Sequence, residues 1–174
     1  PFAFLDDAEE SDWNAQQATA RDADGCASDA FLTWLIGRVV RAAGMQHPPT
    51  SEQLDCVLTT VKSPRSILTA EAGTGKTDYG LRLAVGVMQR LGYHVLVATP
   101  THAAKRPIVS ALGWKKKTIH TVKSLTFVPP WGAPAKLADI LQSLTAPLAV
   151  FIDEMGMCGT EDVAELFSLL RRHA

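Results

Sequence analysis

Apolar residues recur along this chain at two spacings, and the change from one to the other lays out the elements. From Phe31 the spacing is helical, with Phe31, Trp34, Leu35 and Val39 on one face and Arg38 between them; Gly44 ends the pattern and His47-Pro48-Pro49 is a linker. Thr50-Ser51-Glu52-Gln53 opens a second helix, with Gln53 at the third position after Thr50 as in a capping box. Its apolar face is Leu54, Val57, Leu58 and Val61, and Ser63-Pro64 closes it. Ile67-Leu68 predicts a buried strand over Ser66 to Ala70. From Asp78 a helix follows, with Tyr79, Leu83, Val87 and Leu91 every fourth residue and Gly92 as its stop. His94 to Ala98 is a strand, residues 99–105 lead into a helix, and Thr118 to Thr121 is a short strand-like or turn segment. Val128 to Pro134 is a rigid loop before a helix carrying Leu137, Ile140, Leu141 and Leu144. Leu148 to Ile152 is an unbroken apolar run, as in a strand buried on both faces, and Val163, Leu166, Phe167 and Leu170 mark a last helix. Strands alternating with helices predict an α/β fold, a parallel sheet with flanking helices.

Composition adds limits. The chain has 174 residues, 47% hydrophobic and 20% charged, which suits one soluble domain with its own core. No apolar run is long enough for a membrane span, and nothing resembles a signal peptide. Cys26, Cys56 and Cys158 are few, odd in number and far apart, which argues against a disulfide framework or metal pattern and suits the reducing cytoplasm. Net charge is −1 but unevenly spread: residues 1–30 hold eight acids and one arginine, and the rest is basic. Residues 1–47 are therefore expected to be an acidic, partly helical leader, and residues 48–174 the working domain. A basic body is compatible with a nucleic-acid partner. The chain starts at Pro1 and stops inside a helical pattern at Arg171-Arg172, which reads as a part of a longer protein.

The candidate chemistry begins between the Ile67-Leu68 strand and the next helix. Ala70 to Thr77 reads Ala-Glu-Ala-Gly-Thr-Gly-Lys-Thr, a P-loop in which Ala70 stands where the first glycine is usual. In such a loop the backbone N–H groups of Ala72, Gly73, Thr74 and Gly75 cradle phosphates. The helix start adds its positive dipole end. Lys76 reaches the β- and γ-phosphates of ATP, and the Thr77 hydroxyl binds Mg²⁺.

Asp153 and Glu154 end a strand, so they fall on the C-terminal edge of the sheet, where the P-loop also lies. Mg²⁺ prefers hard oxygen ligands, so Asp153 can hold it opposite Thr77, and Glu154 can accept a proton from the attacking water. Gln53 can pair with an adenine edge or simply cap its helix; the residues leave both open. Thr101, His102 and Lys105 follow the second strand near a helix start, where such donors suit a phosphate backbone. Trp114 with Lys115 to Lys117 suits single-strand binding or a solvated turn, and His120 could be a core histidine.

Together these motifs resemble the first RecA-like domain of superfamily 1 DNA helicases, of the RecD-like and Dda-like branch, over about residues 50–170. Thr50-Ser51-Glu52-Gln53 resembles the Q motif, Ala70 to Thr77 motif I, Ala98 to Lys105 motif Ia, and Ile152 to Met157 motif II with Gly156 in place of serine. Thr118-Ile119-His120-Thr121 is similar to the Thr-Ile-His-Ser segment that follows motif Ia. The resemblance implies ATP-driven translocation on single-stranded DNA. Lys76 and Thr77 would act on phosphate and Mg²⁺, Asp153 on Mg²⁺, and Glu154 as base. Thr101 and His102 would meet the DNA backbone, with His120 and Thr121 nearby. It also implies a partner in the missing second RecA-like domain, the chain being truncated after the motif II strand and its helix. The isolated chain would then bind MgATP without unwinding DNA. In this fold the His94 strand should pair with the Leu148 strand, and the Ser66 strand should not. The alternatives are a nucleic-acid-dependent P-loop ATPase that does not unwind, and a P-loop nucleoside kinase.

Overall fold

The computed structural model describes residues 27–69, 71 and 73–172. The chain packs as two units, residues 1–74 and 75–174, and the division falls inside the glycine loop. Ala70 and Ala72, and most of the acidic leader, lie outside the described residues.

In the first unit, Ser28 caps helix α1 (Asp29–Ala42) by accepting the Phe31 N–H on its hydroxyl. Phe31, Leu32, Leu35, Ile36 and Val39 are buried along one stripe of that helix. Helix α2 (Ser51–Lys62) starts at the capping box expected from Thr50 and Gln53. Lys62 at its end pairs with Asp29 at the start of α1, 2.8 Å apart. The segment after α2 corrects the sequence reading. Residues 66–69 form no strand and join no ladder among the described residues, and Ile67 is 77% exposed. An apolar pair becomes a strand only when its backbone finds a partner, and this one has none in the described sheet.

The second unit opens with a π-helical turn, Lys76–Leu81, that runs on into helix α3 (Arg82–Arg90). Strand β1 (His94–Thr99) follows, then α4 (Lys105–Leu112), a 3₁₀ turn at Lys116–Thr118, and β2 (Ile119–Thr121). A short helix α5 (Val122–Thr126) leads through the proline loop to α6 (Lys136–Ser143), then β3 (Leu148–Ile152), a 3₁₀ turn at Met155–Met157, and α7 (Thr160–Arg172). The periodicity misplaces the start of α3, whose first turn is π rather than α, and it does not reveal α5, which is too short to show a period.

The described strands form one parallel sheet in the order β2-β1-β3. Alternation along β1 divides the core. Leu96 and Ala98 pack with Val122, Leu125, Leu137, Leu166 and Leu169, so α5, α6 and α7 cover that face. Val97 packs with Val85, Ile108 and Ile119, so α3 and α4 cover the other. The expected pairing of the His94 and Leu148 strands is present, with His94 opposite Leu148 and Ala98 opposite Ile152. The expectation that β3 is buried on both faces is not met: only Ala149 is fully buried there, because β3 lies at the edge of the described sheet. Among the described residues, no helix is long and apolar enough to cross a membrane.

Candidate active site

The glycine loop takes its shape from its backbone. Gly73 and Gly75 have φ of 83° and 81°, a left-handed conformation that costs a side-chain-bearing residue about 1–2 kcal/mol. In the first unit the Thr74 hydroxyl donates to the Glu71 carbonyl at 2.8 Å, and the Gln53 amide nitrogen donates to the Thr74 carbonyl at 3.0 Å. The other end of the same amide accepts the Thr50 N–H at 2.9 Å, completing the cap. Gln53 therefore does cap its helix, and it also reaches the loop.

In the second unit the chain leaves Gly75 in a turn that is both α and π. The Gly75 carbonyl accepts N–H groups from Tyr79 at 2.7 Å and Gly80 at 3.4 Å. Lys76 and Thr77 sit in this turn, both partly exposed. The Thr77 hydroxyl donates to Oδ2 of Asp153 at 3.5 Å. Asp153 continues β3 past its last ladder residue, its N–H donating to the Ala98 carbonyl at 3.0 Å, while its Oδ1 accepts the Glu154 N–H at 3.0 Å. Glu154 is exposed and has φ 55°, the only non-glycine residue with positive φ among those described. A hydroxyl and a carboxylate oxygen, both hard, face each other across this gap. Such a pair suits Mg²⁺, which takes one or two protein oxygens and completes its shell with phosphate and water.

The other sequence-predicted residues gather at the C-terminal ends of β1 and β2, where Thr99 lies opposite Thr121. Thr101 and His102 are exposed on the loop after β1, and the Thr101 hydroxyl accepts the Ala104 N–H at 3.2 Å. Lys105 differs from the expectation of a surface contact. Only 6% exposed, its ammonium donates to the Ile119 carbonyl at 2.6 Å and so ties α4 to β2. Burial, then the charges of Lys136 and Lys116, lower its pKa from the usual lysine value. His120 is half-buried, and burial followed by the charges of Lys136 and Lys105 pushes its pKa down to about 4, so the imidazole is neutral at pH 7. Thr121 is buried and caps α5 through a reciprocal pair with Ser124, each N–H meeting the other's hydroxyl at 3.1 Å.

Sequence reasoning missed three participants. The buried Thr99 hydroxyl faces the carbonyls of Thr101 at 2.9 Å and His120 at 3.3 Å, joining the loop after β1 to β2. Ser124 stands at the capping spacing from Thr121, a signal that was present in the sequence. Lys136 acts on His120 and Lys105 through charge alone, with no local pattern to announce it. Burial pushes the Cys56 and Cys158 thiols up, which leaves neither as an activated nucleophile.

The profile of one protein family, described as an AAA domain, matches residues 49–174. No curated protein and no solved structure matches the chain.

Proposed function

Because the chain belongs to this AAA-domain family of P-loop ATPases, we propose that it is the ATP-binding and hydrolysing part of a DNA helicase that translocates on single-stranded DNA in the cytoplasm. Lys76 meets the β- and γ-phosphates. Thr77 and Asp153 hold Mg²⁺, which when bound neutralises charge developing on the phosphates. Glu154 takes the proton from the attacking water. Thr101 and His102 face the DNA backbone, with His120 and Thr121 behind them; a neutral His120 offers hydrogen bonds rather than charge.

The observation that carries the reading is the shared edge of the sheet. Asp153 follows β3, the Thr101-His102 loop follows β1 and Thr121 ends β2, so these residues lie at one edge of three adjacent parallel strands, which supports a reading in which phosphate and strand are held side by side. Sites in open α/β sheets form at this edge. Adjacency of this kind suits a motor whose nucleotide state alters its grip on DNA.

The test is the affinity for oligo-deoxythymidylate, followed by fluorescence anisotropy with and without a non-hydrolysable ATP analogue and Mg²⁺. The expected result is a nucleotide-dependent affinity that disappears in Lys76→Ala. Nucleotide binding with no affinity for single strands in any state would overturn the DNA part and leave a P-loop ATPase of another kind.

A further inference from the structure

Thr99 is the last residue of β1, and it is fully buried at the edge where Thr101, His102, His120 and Thr121 gather. One residue earlier the strand is fixed from the β3 side, where the Asp153 N–H donates to the Ala98 carbonyl at 3.0 Å. One residue later Pro100 has no N–H to give, so the loop begins without a backbone donor. The Thr99 hydroxyl supplies one. Its oxygen lies 2.9 Å from the Thr101 carbonyl and 3.3 Å from the His120 carbonyl, and its single proton is shared between them. Thr101 belongs to the loop and His120 to β2, so one buried donor sets the distance between the two segments. Thr101 is held a second time through its own hydroxyl, which accepts the Ala104 N–H at 3.2 Å. A hydroxyl that accepts from an N–H keeps its proton to donate, and Thr101 is exposed. That proton suits an anionic oxygen. Residues 79–138, which include this loop, α4 and β2, contain nine lysines and arginines and no aspartate or glutamate. A stretch so charged favours an anionic ligand.

We propose that Thr99 is a positioning residue for single-strand binding. It sets the loop after β1 against the end of β2, so that Thr101, His102 and His120 meet one stretch of sugar–phosphate backbone at a fixed spacing. The proposal rests on the strand-binding reading above. Segments ordered in advance have less entropy to lose when the strand binds.

Two variants separate positioning from packing. Thr99→Val keeps the branched side chain and its size but removes the donor. Thr99→Ser keeps the donor and loses a methyl group. The measurements are affinity for oligo-deoxythymidylate by fluorescence anisotropy, stability in urea, and hydrogen exchange at the Ala104 amide. Thr99→Ser should lower stability through the lost methyl, yet bind the strand within about twofold of wild type. Thr99→Val should bind it about three- to tenfold more weakly, with faster exchange at Ala104 and unchanged affinity for MgATP. Affinity that follows stability through all three chains, falling in Thr99→Ser as well, would make Thr99 a core residue only and overturn the proposal. Unchanged strand affinity in Thr99→Val would overturn it too, and would leave the strand-binding reading intact. A wild-type chain that binds no single strand in any nucleotide state would overturn that reading and the proposal together, so the two failures are distinct.

Discussion

The Thr77 hydroxyl lies 3.5 Å from Oδ2 of Asp153, although 76 positions separate the two residues in the chain. At that length the hydrogen bond is long, so the pair costs little to part. Asp153→Asn tests what the carboxylate does. The amide oxygen can still accept the Glu154 N–H, so the turn after β3 should survive. Nucleotide affinity should become insensitive to added Mg²⁺, as titration of a fluorescent ATP analogue with Mg²⁺ or with chelator would show. An undiminished Mg²⁺ effect would remove Asp153 from the metal site.

Lys76→Ala should weaken nucleotide binding by about 1.5–3 kcal/mol, the loss expected for a charge-assisted contact. The same titration measures it. Equal affinities in the two chains would mean that the loop does not bind phosphate through this lysine.

Glu154 carries a side chain in a backbone conformation that favours glycine. Glu154→Gly should raise stability by about 1 kcal/mol in chemical denaturation while abolishing ATP hydrolysis and sparing ATP binding. Glu154→Gln should lose hydrolysis with no gain in stability. A hydrolytically active Glu154→Gln chain would show that the proton goes elsewhere.

His120 makes stability depend on pH. Its pKa is about 4 in the folded chain against 6.5 for the free side chain. Between those values the unfolded chain binds the extra proton, so stability is fully present above pH 6.5 and is lost as pH falls towards 4. The loss should be roughly 1–3 kcal/mol, reduced from the ideal because the ring is only half-buried. Urea denaturation of wild type and His120→Gln at pH 7.5 and 4.5 checks this. Parallel losses in both chains would assign the effect to other groups.

Lys105 should matter to the fold more than to any ligand. Lys105→Ala leaves the Ile119 carbonyl without its donor and should cost roughly 1–3 kcal/mol of stability. The salt dependence of single-strand binding should not change, because a buried ammonium releases no counterion. A shallower salt slope in the variant would return Lys105 to the DNA interface.

Much of this fold was legible in the sequence, for reasons that can be stated residue by residue. The β1 and β3 segments are apolar runs between turn residues, and their pairing followed from the resemblance to a helicase domain. Thr50 and Gln53 declared their capping box by spacing. Asp153 stands where a strand must stop, which located the carboxylate but not its distance from Thr77. Burial that depends on distant partners was not legible. Lys105 looks like a surface cation in any local window, and only β2 folding over it shows otherwise. The lowered pKa of His120 comes first from its burial and then from the charge of Lys136, sixteen positions away, and neither shows in a local pattern. Ile67 and Leu68 carry the composition of a strand, but a ladder is a property of two segments.

The order of strands across the sheet has a consequence in time. Val97 meets Ile119 across one side of β1, while His94 meets Leu148 across the other, at more than twice the separation along the chain. Closing the longer loop carries the larger entropic cost, so β1 and β2 should associate first and β3 should dock last. Asp153 and Glu154 arrive on that last strand. During synthesis or refolding, the β1–β2 layer should therefore acquire protection before any binding of Mg-nucleotide begins, and pulsed hydrogen exchange should separate the two events. Until β3 docks, Thr77 should have no Asp153 carboxylate opposite it.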